Sequence, residues 1–172
     1  MSEQAARASA SGLLELYDTS VGDVYGYLVT RCGQRAVAED LTAETFLAAA
    51  DAVRRDRVAT MSVPWLIGVA RHKLVDHWRR LSREERSLRA VGGDPPPEDP
   101  WDAHLDAVRA RDTLGELAPQ HRAALTLRYL DDLSVPEVAE HLQRTVHATE
   151  ALLVRARTAF RRAYTSEEAG DA

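Results

Sequence analysis

The sequence predicts an all-α fold: two small helical domains joined by a flexible acidic Pro/Gly linker, the second a helix-turn-helix domain. Three observations carry this. Strand-like alternation of apolar and polar residues is missing, and the good helix formers Ala, Leu, Arg and Glu dominate. The run Gly92-Gly93-Asp94-Pro95-Pro96-Pro97-Glu98-Asp99-Pro100 interrupts the helical pattern. Glycine frees the backbone, proline removes donors and forbids continued helix, and consecutive prolines make a semi-rigid spacer. Near the C-terminus a short capped helix, a turn and a longer helix with a basic outer face follow in order.

The first domain is expected over 12–90, the linker over 91–111 and the second domain over 112–165. Small or polar residues at 1–11 and 166–172 predict disordered ends. Helices are expected near 13–32, 35–55 and 64–88, then near 100–117, 119–129, 135–141 and 146–164. Ser134-Val135-Pro136-Glu137 is a capping box with proline in the first turn, and Leu133 and Val138 are placed for a hydrophobic staple. Pro64 and Pro119 also occupy first-turn positions.

Composition narrows the function. A net charge of −5 argues against indiscriminate coating of nucleic acid. Charge is nevertheless segregated. Arg71, Lys73, Arg79, Arg80, Arg83, Arg86 and Arg89 outnumber nearby acids, Asp94 through Glu116 reverse the balance, and Arg155, Arg157, Arg161 and Arg162 restore it. Two basic surfaces flanking an acidic connector predict two anion-binding sites. No apolar run approaches a membrane span and no secretory signal is visible, so no membrane association is expected. Cys32 is the only cysteine, which rules out an internal disulfide and fits a cytoplasmic location. Glycine-rich phosphate loops, nucleophile elbows and metal-ligand clusters are absent, so neither catalysis nor a cofactor or metal is expected.

Three surfaces stand out. On the second helix Asp40, Glu44 and Asp51 share a stripe edged by Ala43 and Leu47, while Leu41, Thr45, Ala48 and Ala52 form a packing face. An acidic stripe with an apolar edge suits a basic helical partner, or is an ordinary solvated face. On the third helix Leu66, Val69, Ala70, Leu74, Trp78 and Leu81 make an apolar stripe. His72, Asp76, Arg79 and Arg83 lie opposite, flanked by Arg71 and Arg80. Arginine neutralises phosphate and reads guanine edges, and Trp65, Trp78 or His72 can stack on unpaired bases; the bland alternative is core tryptophans and solubilising arginines. In the last helix Val146, Thr149, Leu153, Ala156 and Phe160 form the expected buried stripe. His147, Ala151, Arg155, Thr158 and Arg162 lie opposite, where a recognition helix meets the major groove, with Arg144 in the preceding turn; the bland alternative is a plain helical hairpin.

These segments resemble the sigma-70 family of bacterial RNA polymerase sigma factors, in its extracytoplasmic-function (ECF) group. Asp40-Leu41-Thr42-Ala43-Glu44-Thr45-Phe46 is similar to the segment that grips the clamp helices of the polymerase's largest subunit. Pro64-Trp65-Leu66-Ile67-Gly68-Val69-Ala70-Arg71-His72 through Arg80 is similar to the helix that reads the downstream, −10 element. Leu114-Gly115-Glu116-Leu117-Ala118-Pro119 through Tyr129 resembles the opening of the second DNA-binding domain, with 146–157 at the place of the helix that reads the upstream, −35 element.

The resemblance implies a role for each surface. Asp40, Ala43, Glu44 and Leu47 would bind core RNA polymerase. Trp65, Arg71, His72, Asp76, Arg79, Arg80 and Arg83 would contact the −10 element, and the loop at 56–63 would capture a base flipped from the non-template strand. Arg144, His147, Ala151, Arg155, Thr158 and Arg162 would engage the −35 element. Partners would be core polymerase, with upstream-domain contacts as well, promoter DNA, and in many relatives an anti-sigma factor. The chain departs from the family pattern at His72, where asparagine is usual, at Gln143, where glycine is common, and at Glu150, Ala151 and Leu152, where basic or hydroxylated residues are frequent. Two rivals stay open: a free-standing helix-turn-helix regulator, which leaves 40–46 and 65–80 unused, and a partner-binding helical scaffold.

Overall fold

The computed structural model describes residues 6–7, 9–88 and 106–170; the Gly/Pro run of the expected linker lies outside them. The order is β1 (Ala6–Arg7), α1 (Ala10–Cys32), α2 (Arg35–Arg54), β2 (Thr60–Met61), α3 (Val63–Leu88), α4 (Ala107–Glu116), α5 (Pro119–Leu125), a π-helical turn (Thr126–Leu130), α6 (Val135–Leu142) and α7 (Val146–Gly170). The fold is all-α apart from the antiparallel pairing of β1 with β2, in which Ala6 faces Met61 and Arg7 faces Thr60. Among the described residues no helix is long and apolar enough to cross a membrane. The chain divides into two compact units, one ending at Leu74 and the other starting at Val75.

In the first unit α1 starts where the Ser9 hydroxyl accepts a hydrogen bond from the Gly12 N–H at 3.0 Å. It ends at Gly33, whose φ of 68° lets its N–H reach the Val29 carbonyl. Gly12, Leu16, Ser20, Val24, Leu28 and Cys32 are buried, a ridge of residues four apart along one side of the helix. The facing side of α2 is mostly small: Ala38, Thr42, Thr45 and Ala49 are buried with Leu41 and Phe46. The Thr42 and Thr45 hydroxyls donate to the carbonyls of Ala38 and Leu41, each at 2.7 Å, so burying them leaves no donor orphaned. Ala48 and Ala52, expected to pack, are half-buried. Cys32 is buried, and its thiol points at the Gln34 carbonyl at 3.4 Å.

Helix α3 runs unbroken from one unit into the next. Of its expected apolar stripe Leu66, Ala70, Leu74 and Trp78 are buried, Val69 and Leu81 are half-buried, and Val75 is buried beside them. Trp78 is 1% exposed, and truncating a core aromatic of this size costs about 3–5 kcal/mol.

The second unit continues with four more helices. Asp106 caps α4, accepting from Val108 and Arg109 N–H at 3.1 and 2.9 Å. The end of α4 is held by Arg122, whose Nε donates to the Leu114 carbonyl at 2.9 Å. Tyr164 of α7 ties back to α4: its hydroxyl accepts from the Asp106 N–H, and its ring lies under the Arg109 guanidinium at 4.1 Å. The capping box forms, with the Ser134 N–H donating to the Glu137 carboxylate at 2.8 Å.

Three details differ from expectation. The helix expected over 119–129 changes to a π turn at Thr126, where the Asp131 N–H donates to the Thr126 carbonyl at 3.0 Å. Val146 is 44% exposed rather than buried, because it opens α7 and no earlier turn covers it, and Leu152 takes its place in the core at 0%. Helix α7 extends to Gly170; the Thr165 hydroxyl bonds back to the Arg161 carbonyl at 2.8 Å, keeping a polar residue compatible with helix there.

Candidate functional site

The first surface lies on α2. Asp40, Ala43, Glu44 and Leu47 are all exposed, on the side away from the packed residues Leu41, Thr45 and Ala49. Leu47 is 69% exposed, an apolar side chain at the edge of the acidic stripe. Sequence reasoning missed its neighbours on α1. Leu14 is 68% exposed and Tyr17 44%. The Tyr17 ring packs edge-on against Phe46 at 4.8 Å, on the side of α1 that adjoins α2. The available signal was the doubled apolar set Leu13-Leu14 and Leu16-Tyr17: one helix face buries only one of each pair. Glu44 also meets Lys73 of α3 at 3.9 Å.

The second surface is the outer side of α3. His72, Asp76, Arg80 and Arg83 are exposed; Trp65, Arg71 and Arg79 are half-buried. Arg79 donates to Asp76 at 3.1 Å and to the Gln143 side chain, so it is less available than its flanking arginines. Arg80 lies 3.2 Å from the His77 ring. At the start of α3 the Ser62 hydroxyl accepts from the Trp65 N–H at 3.3 Å, closing the loop at 56–62. That loop begins at Asp56 in the left-handed region, with φ of 53°, and contains β2.

The third surface is the helix-turn-helix. Helix α6 ends at Gln143, which takes the left-handed φ of 52° that glycine would adopt without strain. The Thr145 hydroxyl accepts from the Ala148 N–H at 3.1 Å and starts α7. His147 and Arg162 are exposed, while Arg144, Ala151, Arg155 and Thr158 are half-buried. The Thr158 hydroxyl donates to the Val154 carbonyl at 3.1 Å, which leaves its lone pairs to accept. Leu152 is core and is no candidate for a DNA contact, so the residues that depart from the family on the outer side reduce to Glu150 and Ala151. Burial, and then the charges of Arg86 and Arg155, hold the Arg144 guanidinium below its ordinary pKa.

Among the described residues, fold and surfaces define a mainly helical protein with a helix-turn-helix, an acidic-apolar face on α2 and a basic face on α3. The family models for Sigma-70 region 2 and for Sigma-70, region 4 match residues 16–84 and 107–160. The ECF RNA polymerase sigma factor BldN of Streptomyces coelicolor is 33% identical over 164 residues, 89% of this chain and 60% of BldN. The ECF RNA polymerase sigma factor SigM of Bacillus subtilis is 30% identical over 154 residues, 87% of this chain and 93% of SigM. The solved sigma factor RpoE, in complex with the anti-sigma factor NepR from Bartonella quintana, shares the fold at 17% identity, with a TM-score of 0.54 over 91% of this chain and 98% of that one. The chain belongs to the sigma-70 family of RNA polymerase sigma factors, in its ECF group.

Proposed function

We propose that this chain acts in the cytoplasm as an alternative sigma factor whose α2 face docks on core RNA polymerase and whose α3 and α7 faces read promoter DNA. Asp40 and Glu44 supply charge complementary to a basic coiled coil, the clamp helices of the largest subunit, and Leu47 with Leu14 and Tyr17 supplies the apolar area that charge alone lacks. Trp65, Arg71, His72, Asp76, Arg79, Arg80 and Arg83 contact the downstream element, and the loop at 56–63 holds the flipped base. Arg144, His147, Ala151, Arg155, Thr158 and Arg162 engage the upstream element. The domains follow 12–90 and 112–165, joined by the linker at 91–111. The protein itself catalyses no reaction; the chemistry is the polymerase's. An anti-sigma factor is a further partner of this kind of chain, as NepR is for RpoE.

The observation that carries the docking surface is the 69% exposure of Leu47 within a stripe of acids. Asp40→Arg with Glu44→Arg is expected to abolish co-purification with core polymerase while leaving the circular dichroism spectrum unchanged, since both residues are exposed. Undiminished co-purification would remove α2 as the docking face.

A further inference from the structure

Within the second unit lies a cavity of about 240 Å³ whose lining joins Arg79, Arg83 and Arg144 of the proposed DNA faces with residues that neither face uses. Trp78, Arg79, Ser82, Arg83, Arg86 and Arg144 line it, and no carboxylate does. Two of its lining residues carry a chemical anomaly. Trp78 is 1% exposed and Ser82 6%, yet the Trp78 indole N–H and the Ser82 hydroxyl have no hydrogen-bond partner among the described residues. A buried polar group left unpaired costs about 1–3 kcal/mol, so two side by side call for an explanation.

The rim supplies it. Four arginines converge on one small space, and the charge on Arg86 already disfavours the charge on Arg144. Arg79 is partly neutralised by Asp76 at 3.1 Å, and Arg144 reaches the neutral amide of Gln120 at 3.4 Å; neither contact places negative charge inside. The cavity therefore presents an excess of positive charge and donors, and two of the residues that line it each hold a buried, unpaired donor. The indole can only donate, guanidinium groups can only donate, and a hydroxyl can do so. The complementary ligand is compact, multiply negative and rich in acceptors. Phosphoryl oxygens fit best, because guanidinium groups bind them in bidentate fashion, and several arginines match adjacent phosphoryl groups better than a single anion.

We propose that this cavity binds a small molecule carrying a diphosphate group, such as inorganic pyrophosphate or a nucleoside diphosphate. The arginines grip the phosphoryl oxygens, and Trp78 and Ser82 supply the further donors. Arg79, Arg83 and Arg144 are also proposed DNA contacts, so an occupied cavity withdraws them from promoter phosphates. That regulatory consequence rests on the sigma-factor reading; the binding does not.

Isothermal titration calorimetry of the full chain with inorganic pyrophosphate tests the binding without polymerase or promoter, so its failure leaves the sigma-factor reading standing. Sulfate at equal ionic strength is the comparison. Arg86→Gln with Ser82→Ala is the variant, since neither residue belongs to the proposed DNA faces, and Ser82→Ala removes an unpaired hydroxyl without straining the fold. Pyrophosphate is expected to bind at least tenfold more tightly than sulfate, and the variant to lose at least tenfold in pyrophosphate affinity with its thermal midpoint preserved. Trp78→Phe, which keeps a ring but removes the donor, is expected to weaken binding in the same direction. Equal binding of sulfate and pyrophosphate, or unchanged affinity in the variant, would overturn the proposal. A short single-stranded DNA separates a free ligand from a nucleic-acid backbone. The variant is expected to retain its binding to that DNA, and a parallel loss of both would assign the cavity to backbone phosphate and overturn the small-ligand proposal.

Discussion

His121 sits on α5, half-buried, close enough to Arg155 for the two to interact. Burial first, and then the Arg155 charge, hold its imidazole below the ordinary value of 6.5. The unfolded chain therefore takes up this proton more readily than the folded one. Its contribution to stability is fully present above pH 6.5 and is lost as pH falls towards the lowered folded value. The thermal midpoint of the protein is expected to fall more steeply between neutral pH and pH 5.5 than that of His121→Gln, which stays neutral throughout. Parallel pH profiles in differential scanning calorimetry would contradict this. On α3, the exposed pair Arg80 and Arg83 is the cleaner test of the basic face, because Arg79 is engaged by Asp76 and Gln143. Arg80→Ala with Arg83→Ala is expected to cut promoter-dependent initiation about tenfold or more, since each lost phosphate or base contact costs about 1 kcal/mol or more, with polymerase binding retained. Full initiation by that variant, measured by run-off transcription, would misplace the downstream-element face.

At the scale of elements, glycine acts with opposite sign in one helix. Gly33 closes α1 at a φ of 68°, where a side chain is strained, while Gly22 lies in the helix interior with open space beside it. Gly33→Ala is expected to destabilise the first unit by about 1 kcal/mol, and Gly22→Ala to stabilise it by about 0.5–1 kcal/mol. Urea unfolding of the two variants reads both signs, and equal shifts would contradict the assignment of the helix end. Such ends were legible in the sequence where local chemistry marks them. The Ser134 capping box, Pro64 and Pro119 name their helices, and α2, α3 and α6 lie within a residue or so of expectation. The π turn was not legible, since an i+5 hydrogen bond leaves no composition signal in Thr126 to Leu130. Burial along α7 was misread at its first turn, because a helical wheel assigns a direction to Val146 but not a neighbour to cover it. The same limit hid Leu14 and Tyr17. A wheel separates faces, but only the tertiary packing of α1 on α2 decides which apolar residues are left outside.

Across the whole molecule, a net charge of −5 conceals an arrangement in which acids occupy the outer side of α2 and arginines the outer side of α3 and the cavity below it. The order of these surfaces along the chain was legible because charge follows the helical period within each segment. The cavity was not: its lining comes from α3, α5, α6, α7 and the turn between the last two, and no local pattern brings them together. Acidic docking and basic reading in one chain suit a subunit that must join a large enzyme before it meets DNA. The central claim is that the chain confers promoter choice on polymerase. Purified protein mixed with bacterial core RNA polymerase and fragmented genomic DNA, followed by sequencing of transcript 5′ ends, tests it most directly. Discrete new starts that share one upstream and one downstream sequence element are expected. Protein that elutes apart from polymerase, with no new start positions, would contradict it.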